Sequence, residues 1–205
     1  MMQNPFTPFK GARKKGALLL AAIGLSVGVT MSQAQSPGPD MQKLQQMMNQ
    51  QIGLMKPELQ EKVKALSPQT KKLLLQIYGQ HTRHSNKVTL RQVMHEVLSD
   101  YHSMVTGVLT DNAEQAADSA RRLANHRIPI GGLVPYLDMK FINDEGLSAL
   151  AGFNDAVEGN AKRLAAAADE GDMIKASALV GDITQGCFSC HSVFRGVPGK
   201  SPLLR

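Results

Sequence analysis

The residues with the most chemistry in this chain lie close together near its C-terminal end, as Cys187-Phe188-Ser189-Cys190-His191. A C-x-x-C-H spacing on a helix sets two thiols three residues apart, where they can add to the two vinyl groups on one edge of a porphyrin. The next residue then lies beneath the iron, and its imidazole becomes the proximal ligand. Three other chemistries use similar residues. A thioredoxin-like pair needs its C-x-x-C at a strand-to-helix transition, and no strand pattern precedes this one. A zinc site needs about four ligands, and only one histidine adjoins the two cysteines. A disulfide between the two would suit an oxidising compartment but would leave His191 without a role.

The motif needs a scaffold, and the composition favours helices. Tryptophan is absent and aromatic residues make up 4% of the 205 residues. The abundant alanine, leucine, methionine, glutamine and lysine lose little rotamer freedom in a helix. Met173, Ala176, Val180, Ile183, Cys187, Cys190, His191 and Phe194 form one stripe of a last helix that Asp172 caps and that Gly196 and Pro198 end. A preceding helix from about Glu145 carries Leu150, Phe153, Val157, Ala161, Leu164 and Ala168 and stops at Gly171. Residues 128–144, with Pro129, Gly131, Gly132 and Pro135, read as a crossover loop. Before it, Thr89 and Gln92 have capping-box spacing at the start of a helix to about Leu109, and Asp111 and Glu114 repeat that spacing to open the next. Four long helices with one crossover predict an all-α fold, a four-helix bundle with additional short N-terminal helices over 40–79. Pro57 and Ser67-Pro68 start two of those helices, Gly79 stops the last, and residues 80–87 form a polar loop.

The first residues read as targeting. Lys10, Arg13, Lys14 and Lys15 precede an apolar run over 17–29, and Ser32-Gln33-Ala34 offers small residues for a signal peptidase. The run is shorter than the roughly 20 apolar residues of a spanning helix. The chain therefore divides into a cleaved signal peptide (1–34), a leader with accessory helices (35–87), a haem-binding bundle (88–198) and a tail (199–205). Cleavage removes four of the 23 basic residues and none of the 17 acidic ones, leaving 19 against 17, or +2. That balance gives no support for nucleic-acid binding, and no second long apolar run exists to make an integral membrane protein. The expected location is the periplasm.

The C-x-x-C-H in a last helix, followed by Phe194-Arg195, resembles the cytochrome c′ family, the class II c-type cytochromes. Ala165-Ala166-Ala167-Ala168-Asp169-Glu170-Gly171-Asp172 is similar to that family's alanine-rich turn, and Arg91-Gln92 resembles an Arg-Gln pair in its first helix. The resemblance covers about residues 88–195. It implies one haem c lying along a four-helix bundle, often in a homodimer, with Arg91 and Arg195 near the cofactor. Arg195, one turn beyond His191, would shield the proximal face or approach a propionate, or else serve as an ordinary solvated arginine at a helix C-terminus. Members of the family either leave the distal face open and bind NO or CO, or fill it with methionine and carry electrons.

Counting from Arg91-Gln92, the residue over the iron would be His95, where the family has leucine or methionine. Periodicity reads this helix as having two buried faces. Leu90, Val93, Met94, Val97, Tyr101, Met104 and Val108 define one, and His95, Leu98, His102, Val105 and Leu109 define the other. One face would meet haem and the other would lie under the N-terminal helices. His95 and His102 are about 10.5 Å apart along the axis, so at most one binds iron. Met94 is a thioether alternative, and an empty sixth site is another. His81, His84 and His126 read as surface histidines, and Met41, Met47, Met48 and Met55 as apolar packing rather than soft-metal ligands.

A filled sixth site would make the protein a one-electron carrier serving redox partner proteins, and not an enzyme. A vacant one would make it a binder of NO or CO. Peroxide turnover would need a distal acid-base pair, and His95 has no identifiable Arg or Asp partner.

Overall fold

A computed structural model describes residues 41–195, and among them the fold is all-α, with no strand. The signal peptide, the leader before residue 41, the terminators Gly196 and Pro198 and the C-terminal tail lie outside the described residues.

Local chemistry sets most helix starts. In α3 (Pro68–Gly79) the Ser67 hydroxyl accepts from the Thr70 N–H at 3.2 Å. In α4 (Leu90–Leu109) the Thr89 hydroxyl accepts from the Gln92 N–H while the Gln92 carboxamide accepts from the Thr89 N–H, so the capping box is closed. Pro57 and Pro68 occupy the first positions of α2 (Pro57–Ala65) and α3, where a missing N–H costs nothing. The start of α5 (Ala113–Ala124) differs from expectation by one residue. Asn112, not Asp111, is the cap and accepts from the Gln115 N–H at 3.0 Å. Asp111 is used for the turn itself, at φ 53°, a left-handed conformation that short polar side chains tolerate.

The four longest elements of the C-terminal part form a closed circuit of neighbours. Helix α4 packs on α5, α5 on α8 (Asn160–Asp169), α8 on α9 (Met173–Phe194), and α9 on α4. Arg122 to Asp100 at 2.8 Å and Ser119 to Ser103 at 2.8 Å make α4 and α5 antiparallel. Arg121 with Asp169 at one end, and His126 with Glu158 at the other, do the same for α5 and α8. The short turn at 170–172, with Gly171 at φ 76°, reverses the chain into α9. The shared core is mostly alanine: Ala116, Ala117, Ala120, Ala161, Ala165 and Ala168 are buried around Met104, Leu123, Leu164 and Ile183. Small side chains allow close axial approach, and the few large ones fill the gaps between layers.

The helix expected from Glu145 is interrupted. It runs as α6 (Asp144–Ser148), α7 (Leu150–Asn154), one π turn (Asp155–Gly159) and then α8. Within the π turn the Asn160 N–H bonds the Asp155 carbonyl, and the Asn160 carboxamide donates to the Ala156 carbonyl at 2.9 Å. The carbonyl released by the wider turn is thereby satisfied.

The accessory helices also lie elsewhere than expected. Helices α1 (Met41–Gly53), α2 and α3 do not cover the second face of α4. Val63 and Leu66 share a core with Val134, Ile142, Leu147 and Leu150 of the crossover and α6–α7. Leu44, Leu75 and Tyr78 pack on Ile128. Polar contacts fasten the same seam: Gln51 accepts from the Gly131 N–H at 2.7 Å and Asp144 from the Ser67 N–H at 3.0 Å. The crossover, rich in proline and glycine, cannot form a helical face of its own, and the N-terminal helices supply the apolar cover it needs.

Candidate functional site

Helix α9 is fixed on both sides of the C-x-x-C-H. Asp172 caps it by accepting from the Lys175 N–H at 3.0 Å. Ala176 and Ile183 are buried in the bundle core, with Cys187 against its edge. Gly186 lies flush on the π turn, and a Cβ there would meet Ala156 atoms at 3.0 Å. Beyond the motif, Phe194 joins the second core, edge-on to Phe141 at 5.2 Å and Phe153 at 6.0 Å. The Arg195 N–H closes the last turn on the His191 carbonyl at 2.9 Å. Cys187, Cys190 and His191 are each half-buried, on the stripe the sequence predicts.

Both thiols are free. Burial pushes each thiol up, Cys190 to about 11 with Cys187 beside it as a second cause. Burial, and then the Arg195 charge, push the His191 imidazole down, favouring its neutral form. The alternative chemistries find little support. The motif lies deep within a long helix, not at a strand end, and the thiols form no disulfide. Nor do Cys187, Cys190 and His191 converge as a metal-ligating triad, since among the described residues one such group occurs and it lies elsewhere.

The wall facing α9 is α4. Tyr101 Oη lies 2.6 Å from Thr184 Oγ1, which sets the axial register of two antiparallel helices. Seven residues at 1.5 Å each bring His191, beyond Thr184, level with Met94, before Tyr101, about 10.5 Å from the pin. By the same count Leu98 stands level with Cys187. Leu98 is 48% exposed and Phe188 61%. His102 comes level with Ile183, about 12 Å from the height of His191. Met94, two turns before Tyr101, shares its face and is half-buried, whereas His95 is exposed and turned about 120° away. His95 makes no hydrogen bond, ion pair or ring contact. Arg91 and Arg195 are exposed at their helix ends and are not brought together with the thiols by any contact. Of the second face of α4, Val105 is half-buried against the core, but His95, Leu98, His102 and Leu109 are exposed, with no helix laid over them among the described residues.

The donor set fits a covalently held porphyrin. Two free thiols at i and i+3 with the imidazole next after them, all half-buried on one helix, are what such a group requires.

The reading of His81, His84 and His126 as surface residues is overturned. His81 is 3% exposed, and His84 and His126 are partly buried. Residues 80–87 are tied to the helices through Ile128 N–H to the Arg83 carbonyl at 2.8 Å and Asn125 to Thr82 at 2.9 Å. Sequence reasoning missed Glu158, which lies buried beside them. The available signal was an acidic residue next to Val157 and three before Ala161, inside an apolar stripe, where a carboxylate demands a partner.

No protein-family model matches the sequence, no curated protein matches it, and no solved structure matches the fold. Among the described residues, no helix is long and apolar enough to cross a membrane.

Proposed function

We propose that the chain is an exported, periplasmic c-type cytochrome resembling cytochrome c′, whose helices α4, α5, α7–α8 and α9 make a four-helix bundle for one haem c. Cys187 and Cys190 would hold the haem as thioethers, and His191 would be the proximal ligand. The observation that carries this reading is the C-x-x-C-H on α9 with both thiols free and half-buried. When bound, haem supplies a one-electron iron couple tuned by its axial ligands and its burial. The rest is the work of the chain. Ile183 and Gly186 fix the height of α9, and Phe194 locks its end.

The function proposed is one-electron transfer to redox partner proteins, without catalysis, through an iron whose sixth position is filled from α4. His95 matches by resemblance, and Met94 matches by height and face. The second reading, a five-coordinate binder of NO or CO, is favoured by the exposure of His95 and its turn away from α9.

Visible spectra of the oxidised and reduced protein, with CO added to the reduced form, test this. Sharp low-spin bands that CO leaves unchanged support electron transfer. Conversion to high spin in His95→Ala or in Met94→Ala then assigns the ligand. A high-spin spectrum that CO shifts moves the protein to gas binding, and a purified protein without covalent haem removes the proposal.

A further inference from the structure

Glu158, His81 and His126 come from three separate parts of the chain and meet inside it. His81 follows α3, His126 follows α5, and Glu158 lies in the π turn. Their candidate ligand atoms all lie within 4.8 Å of one another. His81 Nε2 is 3.4 Å from Glu158 Oε2, and His126 Nε2 is 3.2 Å from Glu158 Oε1.

The orientation of both rings is set from behind. His81 Nδ1 lies 2.9 Å from the Ile77 carbonyl, and His126 Nδ1 lies 2.9 Å from the Arg127 carbonyl. A carbonyl only accepts, so each Nδ1 carries the proton, and in a neutral ring each Nε2 presents its lone pair to the carboxylate. Carbonyl bonds behind the imidazole are the usual support of metal-bound histidines. His81 Nε2 is buried and makes no hydrogen bond, and the side chain is 1% exposed. An acceptor buried against a carboxylate, with no donor between them, is an unsatisfied arrangement unless a cation stands there.

We infer that His81, His126 and Glu158 form a binding site for a divalent first-row transition ion of the zinc(II) or iron(II) class. Bonds of about 2.0–2.2 Å at tetrahedral angles separate donors by about 3.3–3.5 Å, and each histidine Nε2 stands at about that distance from a different oxygen of Glu158. Two imidazoles and a carboxylate suit zinc and iron(II) rather than calcium or magnesium, which take oxygen ligands. Without the ion, the His126 contact to Glu158 requires a proton on Nε2. Binding releases that proton as the nitrogen turns its lone pair to the metal, so charge and protons balance. Asn154 donates to the Glu158 carboxylate and holds it in place. The π turn rotates Glu158 inward, and such turns recur at functional sites. The site shares no ligand with the motif on α9 and does not depend on the haem reading.

The test uses the full mature protein, stripped with a chelator, dialysed against zinc(II) and analysed for zinc and iron together. X-ray absorption at the zinc edge identifies the donor atoms. One zinc per chain with only nitrogen and oxygen neighbours, retained in Cys187→Ser/Cys190→Ser, is expected. Glu158→Gln and His81→Ala should each weaken zinc binding by about 100-fold or more while circular dichroism stays helical. If a variant does not fold, the wild-type protein still decides. No retained zinc, or a shell containing sulfur, would overturn the site and leave the triad as a closed ion-pair network. The iron count reports separately on the haem.

Discussion

Alanine substitutions at three helical glycines test how closely α4 and α9 pack on their neighbours. At Gly181, exposed on α9, an added Cβ meets nothing within 4 Å. Alanine there recovers the full helix-propensity difference, a gain of about 0.8–1.0 kcal/mol. At Gly107 on α4, the Cβ would stand 2.5 Å from the Ala116 backbone nitrogen and 2.9 Å from its Cα. Backbone cannot rotate aside, so α4 and α5 must separate, at about 1–3 kcal/mol for overpacking. Subtracting the propensity gain leaves a net loss of up to about 2 kcal/mol. Gly186→Ala falls between them, because Ala156 stands at 3.0 Å and need yield only slightly. The expected order of stability is Gly181→Ala, then wild type, then Gly186→Ala, then Gly107→Ala. Denaturant unfolding with an unchanged slope measures it, and each kcal/mol should move the melting temperature by about 2–4 °C. If Gly107→Ala proved as stabilising as Gly181→Ala, the close contact of α4 with α5 would be wrong.

Three further outcomes follow from the same geometry. Asn112→Ala should cost about 0.5–2 kcal/mol by removing the cap of α5, whereas Asp111→Gly should stabilise by up to about 1 kcal/mol because φ is 53° there; equilibrium unfolding of the pair separates the two roles. Leu164→Ala, in a fully buried position among alanines, should cost about 2–5 kcal/mol, read as a fall in the denaturation midpoint. A Thr70 side-chain hydrogen bond, and then the Ser67 N–H, lower the Asp144 pKa. Its contribution is therefore present above the unfolded value near 3.8 and lost as pH falls below it. Acid titration followed by hydrogen exchange at the Ser67 amide should show that loss, and Asp144→Asn should abolish the pH dependence.

What was legible in the sequence was what local chemistry decides. The Thr89–Gln92 box, the Ser67 and Asp172 caps, the prolines at first helical positions and the Gly171 stop each rest on atoms within a few residues. The stripe of α9 was legible because its period is that of the helix. Periodicity misled on α4, since it reports that Leu98 and Leu109 are apolar, not that anything covers them. The π turn was not visible because its cause is distant: Glu158 turns inward toward His126, 32 residues away in sequence. The same distance hid the histidines, whose polar neighbours in 80–87 describe a loop correctly and their burial wrongly.

One short segment carries both the packing contact to α9 and a buried carboxylate. Ala156 in the π turn bears on Gly186, the residue before Cys187, and Glu158 lies two residues further along the same turn. Burying that carboxylate with two imidazoles carries a desolvation penalty that apolar packing would avoid. The π turn replaces regular α-helical hydrogen bonding and needs Asn160 to satisfy the carbonyl it releases. Two unfavourable features at one place, each maintained by side chains from other elements, are poorly explained by stability. They are what a site built to hold a ligand requires.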